Sequence, residues 1–155
     1  MITVGKKAPD FTVPSDTGEN IALTDYRGQW VVLFFYPKAD TPGCTVEACE
    51  LRDDFPRLGK VNAVVLGASA DKVAKQAKFR AKYKLPYPLL ADEDRTLCEA
   101  YGVWGEKKFM GRKYMGINRT TFLIDPEGKL AHIFEKVSPA GHGAEVLAKL
   151  KELSQ

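Results

Sequence analysis

Three cysteines, Cys44, Cys49 and Cys98, are the strongest nucleophiles in the sequence. An odd number cannot close into a complete set of internal disulfides. In a reducing compartment, cysteines that stand out are catalytic, redox-active or metal-binding. Cys44 lies in Asp40-Thr41-Pro42-Gly43-Cys44. Asp, Pro and Gly mark a loop. Thr41 is a good helix N-cap and Pro42 suits the first helical position. Cys44 therefore falls in the first turn of a helix, where unpaired N–H groups and the positive end of the dipole favour an anion. The thiolate is the reactive form of cysteine. Thr41 adds a hydroxyl able to hydrogen-bond the sulfur or an oxygen bound beside it, and Pro42 and Gly43 let the backbone come close. The plain alternative is an inert packed thiol, but a Thr-Pro-Gly turn is not an apolar run.

Cys49 follows Cys44 by five residues. In a helix that spacing means a rise of about 7.5 Å, a net rotation of about 140° and Cα atoms about 9 Å apart. A disulfide needs roughly 4.4–6.8 Å, so the two cannot bond while the helix is intact. A bond between them requires its first turns to unwind. No second cysteine pair or paired histidines complete a four-ligand zinc site. Cys98 sits mid-helix in Thr96-Leu97-Cys98-Glu99-Ala100-Tyr101 and reads as a packed residue, with a reserve thiol as the alternative. His132 and His142 have no motif around them.

The elements that must position Cys44 follow from the pattern. Trp30 to Tyr36 is apolar on both faces and reads as a central buried strand, stopped by Pro37. Short extended segments at 10–13 and 20–23 flank the turn Ser15-Asp16-Thr17-Gly18. A helix from about Pro42 ends near Phe55, before Pro56. Asn62 to Ala68 is a second strand. Ser69 caps a lysine-rich helix at 71–84. A short strand at 88–91 precedes a helix starting at Asp92 and reaching about Tyr101. Gly102 to Gly116 reads as a long loop. Arg119 to Ile124 and Leu130 to Phe134 form a hairpin around Asp125-Pro126-Glu127-Gly128-Lys129. A last helix covers 144–153. This order predicts one domain, 1–155. It is an α/β, thioredoxin-like arrangement: a mixed central sheet, helices on both faces and an N-terminal strand extension. Functional groups belong beyond the C-terminal ends of the parallel strands, and the 37–44 loop leaves such an end.

Composition removes other classes. The 155 residues are 45% hydrophobic and 28% charged, the profile of one globular domain. Net charge is only +3, from 23 basic and 20 acidic residues. The basic run Lys72–Lys84 reads as a solvated helix face, not a nucleic-acid stripe. The longest apolar run, Trp30–Tyr36, is far short of the ~20 residues of a membrane helix. Met1 to Lys7 has no secretory pattern. No nucleic-acid partner, no membrane and a cytoplasmic address are the expectations. No phosphate loop or nucleotide fingerprint is present.

The stretch Pro37-Lys38-Ala39-Asp40-Thr41-Pro42-Gly43-Cys44-Thr45-Val46-Glu47-Ala48-Cys49 resembles the peroxiredoxins, in the bacterioferritin-comigratory-protein or PrxQ subfamily. The resemblance extends to Gly5–Phe11, Ala91-Asp92, Tyr101-Gly102-Val103-Trp104-Gly105, the Gly116–Asp125 stretch around Arg119, and the closing helix. It implies a thiol peroxidase with no metal, haem or flavin. Cys44 corresponds to the peroxidatic cysteine, oxidised by a hydroperoxide to sulfenic acid. Cys49 corresponds to the resolving cysteine, which closes an intramolecular disulfide that thioredoxin or a similar dithiol reduces. Thr41, Gly43, Cys44 and Arg119 resemble the substrate-binding set, and Pro37 the residue that shapes and shields the pocket. Arg119 suits this role because it is permanently charged and carries several donors. Such donors polarise the O–O bond where charge develops. Glu47 is able to pair with Arg119 or a lysine; otherwise it is an exposed helix carboxylate. An internal disulfide needs no partner subunit, so a monomer is expected. The alternative is a thiol–disulfide exchange or redox-sensing module on the same fold, but it has no need of the Thr41, Cys44 and Arg119 set.

Overall fold

The computed structural model describes residues 2–154. Met1 and Gln155, the two ends of the expected domain, lie outside the described residues. The elements run β1 (Thr12–Pro14), β2 (Asn20–Ala22), a 3-10 turn at Leu23–Tyr26, β3 (Trp30–Phe35), α1 (Pro42–Lys60), β4 (Ala63–Ser69), α2 (Val73–Tyr83), β5 (Leu89–Ala91), α3 (Thr96–Ala100), β6 (Trp104–Phe109), β7 (Arg112–Ile117), β8 (Thr120–Ile124), β9 (Leu130–Phe134) and α4 (His142–Leu153). The main sheet has the order β5-β4-β3-β8-β9. β3, β4 and β5 are parallel, and β8 and β9 complete the sheet antiparallel.

β3 is apolar throughout because both of its faces are covered. Val31, Leu33 and Phe35 belong to a core shared with Leu97 and Tyr101 around α3 and with Val13 of the N-terminal hairpin. Val32 and Phe34 belong to the opposite core, under Leu51 of α1, Phe79 of α2 and Val146 of α4. The expected mixed sheet, with helices on both faces and an N-terminal hairpin, is the observed one. The pairing of β3 with β8 sets up the site. Phe35, the last residue of β3, lies opposite Thr120, the first residue of β8. The residue just before β8, Arg119, therefore shares one end of the sheet with the loop that leaves β3 and opens α1.

Four local expectations are corrected. α1 does not stop at Phe55 but continues through Pro56 to Lys60. Proline forfeits one helical hydrogen bond, yet Leu58 beyond it is fully buried and Phe55 packs on the Tyr87 ring, so tertiary contact carries the helix on. Ser69 does not cap α2; its hydroxyl bonds Asp71 and Gln76, and the N-cap position is Lys72. The helix expected from Asp92 starts at Thr96, with the buried Asp92 carboxylate accepting the Leu97 and Cys98 N–H groups at 3.0 and 2.7 Å. The expected 102–116 loop is largely the β6–β7 hairpin. Its tip, Met110 and Gly111, has both residues at positive φ, the requirement of a two-residue type I′ connection. Methionine does not signal such a turn, and the polar strands hid the pairing.

Gly67 of β4 marks how closely the central strands pack. A Cβ there would lie 2.8 Å from Leu89 Cδ2 and 2.9 Å from Phe34 Cζ. Gly67→Ala is expected to cost about 1–3 kcal/mol, the range for overpacking a core. The urea midpoint of unfolding checks this, and a midpoint equal to that of the parent would contradict it.

Candidate active site

Cys44 is buried in the first turn of α1 with 1% of its surface exposed. Thr41 occupies the N-cap position and Pro42 opens the helix, as expected. The Arg119 guanidinium reaches across from the start of β8. Its Nη2 donates to Cys44 Sγ at 3.3 Å and its Nη1 donates to Glu47 Oε1 at 2.8 Å. One rigid fork thus ties the sulfur to a carboxylate one helical turn further on. Gly43 gives the fork its room: a Cβ there would meet Arg119 Nη2 at 3.3 Å.

Of the two readings of Glu47, the pairing with Arg119 is the observed one. Glu47 is fully buried and not a solvated helix carboxylate. Burial pushes its pKa up to about 7, although the Arg119 hydrogen bond and charge oppose the shift. Desolvation outweighs the ion pair because only one carboxylate oxygen is satisfied. The other, Oε2, is the single buried side-chain polar atom without a hydrogen bond among the described residues. Arg119 itself is raised: burial lowers it, but Cys44 and Glu47 together more than compensate.

Thr41 departs from expectation in detail. Its hydroxyl donates to the Lys38 carbonyl at 2.8 Å and makes no helix-capping bond. Pro37 lines a cleft of about 420 Å³ against the β6–β7 hairpin, with Trp104, Lys107 and Tyr114. A second cleft of about 360 Å³ is lined by Lys107, Asn118, Arg119 and Thr120. Lys107 belongs to both. Burial, and then the Arg119 charge, lower its pKa, while Cys44 raises it.

Cys49 lies on the same unbroken α1, half-buried, and all three cysteines are free thiols. Burial raises the Cys49 pKa. Cys98 is fully buried in the core on the other face of the sheet. His142, which carried no signal in the sequence, is buried at the start of α4. Its Nε2 lies 2.8 Å from Thr121 Oγ1 and 3.8 Å from Glu47 Oε2. Only the fold could bring it there, since α4 returns against α1.

This arrangement presents a buried sulfur to a fixed cationic fork beside two small clefts. Residues 4–133 match the family model described as AhpC/TSA. The chain is 50% identical to Peroxiredoxin Bcp of Escherichia coli, over 97% of both chains. It is 47% identical to Peroxiredoxin Bcp of Bacillus subtilis, over 99% of this chain and 98% of that one. A solved structure of the bacterioferritin comigratory protein of Xanthomonas campestris, described for its alkyl peroxide reduction activity, superposes with a TM-score of 0.92 at 36% identity. That alignment covers 99% of this chain and 100% of the other.

The Glu47 environment makes stability depend on pH. An unfolded Glu47 releases its proton near 4.5 and the folded one near 7. Between those values the folded state binds more protons, so this residue's contribution falls as pH rises and levels off above about 7. Glu47→Gln cannot ionise, so the stability difference between parent and variant should slope through that window and be flat above it. Urea midpoints at several pH values check this. A parent that gains on the variant as pH rises from 5 to 7 would reverse the sign.

Proposed function

This chain belongs to the AhpC/TSA family, among the Bcp and PrxQ peroxiredoxins, and is a thiol-dependent peroxidase; from that premise we propose that Cys44 is its peroxidatic thiol and Arg119 the group that orients the peroxide. The observation that carries the reading is the single guanidinium bonded to Cys44 Sγ and Glu47. A donor fork on the sulfur lies where the oxygens of an attacked hydroperoxide must sit. The thiolate attacks the terminal oxygen and the O–O bond breaks. With one proton taken up, Cys44 becomes sulfenic acid and the alcohol or water leaves. Thr41, whose hydroxyl is held by Lys38, and Gly43, which lets Arg119 approach, complete the peroxide pocket. Pro37 shields it without offering a competing donor. Hydrogen peroxide and organic hydroperoxides are the substrates in this reading, and the alkyl peroxide reduction activity described for the Xanthomonas relative supports the second of them.

Cys49 is the resolving thiol in this reading. Its sulfur attacks the Cys44 sulfenic sulfur, forming the disulfide and releasing water. The continuous helix from Pro42 to Lys60 keeps the two Cα atoms about 9 Å apart, so the first turns must open before the bond closes. A dithiol protein such as thioredoxin then reduces the disulfide. The cycle needs no second subunit, so a monomer suffices, and a reducing cytoplasm keeps the resting thiols free.

One equivalent of hydrogen peroxide on fully reduced protein, followed by thiol blocking and peptide mass spectrometry, tests the assignment. Cys44 joined to Cys49 with Cys98 free is expected; three unreacted thiols would overturn it. Cys49→Ser should react once and then stall or proceed to sulfinic acid. Arg119→Ala should slow the first step by about 100- to 1000-fold, the range for losing one preorganised donor. Amide exchange over residues 42–50 should quicken in the disulfide form.

A further inference from the structure

We propose that His142 is a positioning residue for the peroxide reaction: with Glu47 it holds one buried proton, exchanged with solvent through Glu145, and that proton sets how much of the Arg119 charge is left for Cys44 and the peroxide. The proposal rests on the reading of Cys44 and Arg119 above. Its starting point is the orphaned Glu47 Oε2, which has no hydrogen bond and faces His142 Nε2 at 3.8 Å, both side chains being fully buried. The other ring nitrogen, Nδ1, lies 2.8 Å from Glu145 Oε1. Glu145 is 56% exposed and, with His142, Phe134 and Lys136, lines a surface cleft of about 240 Å³. A continuous line of polar groups therefore runs from solvent through Glu145, His142, Glu47 and Arg119 to the Cys44 sulfur.

Proton bookkeeping gives the line its meaning. A carboxylate at Glu145 accepts a hydrogen bond, so Nδ1 carries the ring's first proton. In the neutral ring Nε2 is then an acceptor, and the Thr121 hydroxyl, 2.8 Å away, is placed to donate to it. An ionised Glu47 would put a second lone pair opposite Nε2 with no proton between them. One added proton, on Oε2 or on Nε2, removes that conflict. Burial pushes the Glu47 pKa up to about 7 and the His142 pKa down. Both shifts disfavour an imidazolium–carboxylate pair, so the added proton is favoured on Glu47 Oε2 over the ring.

The ring is held firmly. Glu50 of α1 accepts the Gly141 and Gly143 N–H groups and so anchors the start of α4. The Phe134 ring packs edge-on to the imidazole at 5.2 Å. The charged or titratable groups facing this pair are Cys44 and Glu50 on α1, Arg119 before β8, Glu145 on α4, and Tyr87 before β5. With the proton in place, Arg119 is opposed by no carboxylate charge and acts fully on the sulfur and the developing oxyanion. With it lost, Glu47 takes half of the fork as an ion pair.

The test is the pH profile of the second-order rate constant for hydrogen peroxide with reduced protein. A carboxyl band of Glu47 is followed over the same pH range by difference infrared spectroscopy without peroxide, assigned by its loss in Glu47→Gln. The parent should show a falling limb in the neutral range, absent from Glu47→Gln. His142→Gln, whose amide N–H stays a donor at every pH, should move the limb and the carboxyl titration to lower pH. His142→Leu, which leaves Glu47 in apolar surroundings, should move both to higher pH. Glu145→Gln, a surface change that spares the core, should move both if either His142 variant fails to fold. Profiles that scale in height but keep the same limb in all variants would reduce His142 to packing and overturn the proposal. The infrared titration needs no reaction at Cys44. If it shifts while Cys44 proves inert to peroxide, the reading of the peroxidatic thiol fails and the proton site stands.

Discussion

The constraint on which this end of the molecule depends is the seating of one guanidinium in a nearly dry place. Arg119 cannot shed its charge, so the fold must supply partners for it. It does so with two groups from the first turns of α1, Cys44 Sγ and Glu47 Oε1. Taking such a pair out of water costs several kcal/mol per ion unless the remaining donors and acceptors are satisfied. Here one carboxylate oxygen is not. The site is thus held together by packing around it, not by the ion pair: β3 and β8 fix the arginine's root, and α1, pinned through Leu51 and Leu58, fixes the carboxylate and the thiol. The unsatisfied oxygen leaves part of the cost of burying this pair uncompensated.

In the proposed cycle the same helix carries two opposed demands. Cys44 needs the ordered first turn, because the helix start and the arginine meet there. Closing a bond to Cys49 needs that turn undone. The sequence around it lowers the cost of undoing it. The Thr41 side chain makes no capping bond, and the first turn of α1 contains no acidic residue. A missing side-chain cap leaves about 0.5–2 kcal/mol unclaimed. Further along, the helix is anchored by Leu51, Leu58 and its contact with α4. A helix with a weak beginning and a strong middle is suited to local opening, which the proposed Cys44–Cys49 bond would require. In the proposed cycle, opening that includes Glu47 would also part it from Arg119, so the fork proposed for the first step would come apart in the second.

What could be read from the residues in order was whatever is local. The buried strand at Trp30–Tyr36, the Thr-Pro-Gly turn and the cysteine in the first helical turn are all short-range signals, and all three are where they were expected. The family motif added Arg119, whose distance from Cys44 in the chain no periodicity bridges. What escaped depends on tertiary contact. Glu47 was legible as a partner for Arg119 or as a solvated helix carboxylate, and only the fold decides for the buried pair. His142 has no neighbouring motif, since its partners Thr121, Glu47 and Glu145 come from three elements. The β6–β7 hairpin is polar and turns on Met110, so neither alternation nor turn chemistry announces it. Pro56 argued for a helix end, and buried Leu58 overruled it.

The three cysteines show how far environment, rather than residue type, divides chemical labour. Cys44 meets a cationic donor fork. Cys49 is partly exposed on α1. Cys98 lies beside Asp92, and burial followed by that carboxylate drives its pKa far up, so its reactive form is disfavoured. It also belongs to the core on the opposite face of the sheet from Cys44. To serve as a reserve thiol, Cys98 would have to leave α3, cross the plane of β3 and β8, and ionise against an acidic neighbour. Opening the first turns of α1 asks for none of these. The burial of Cys98 and its place on the far face of the sheet therefore support the proposal that Cys49 resolves, on grounds that cysteine spacing alone does not supply.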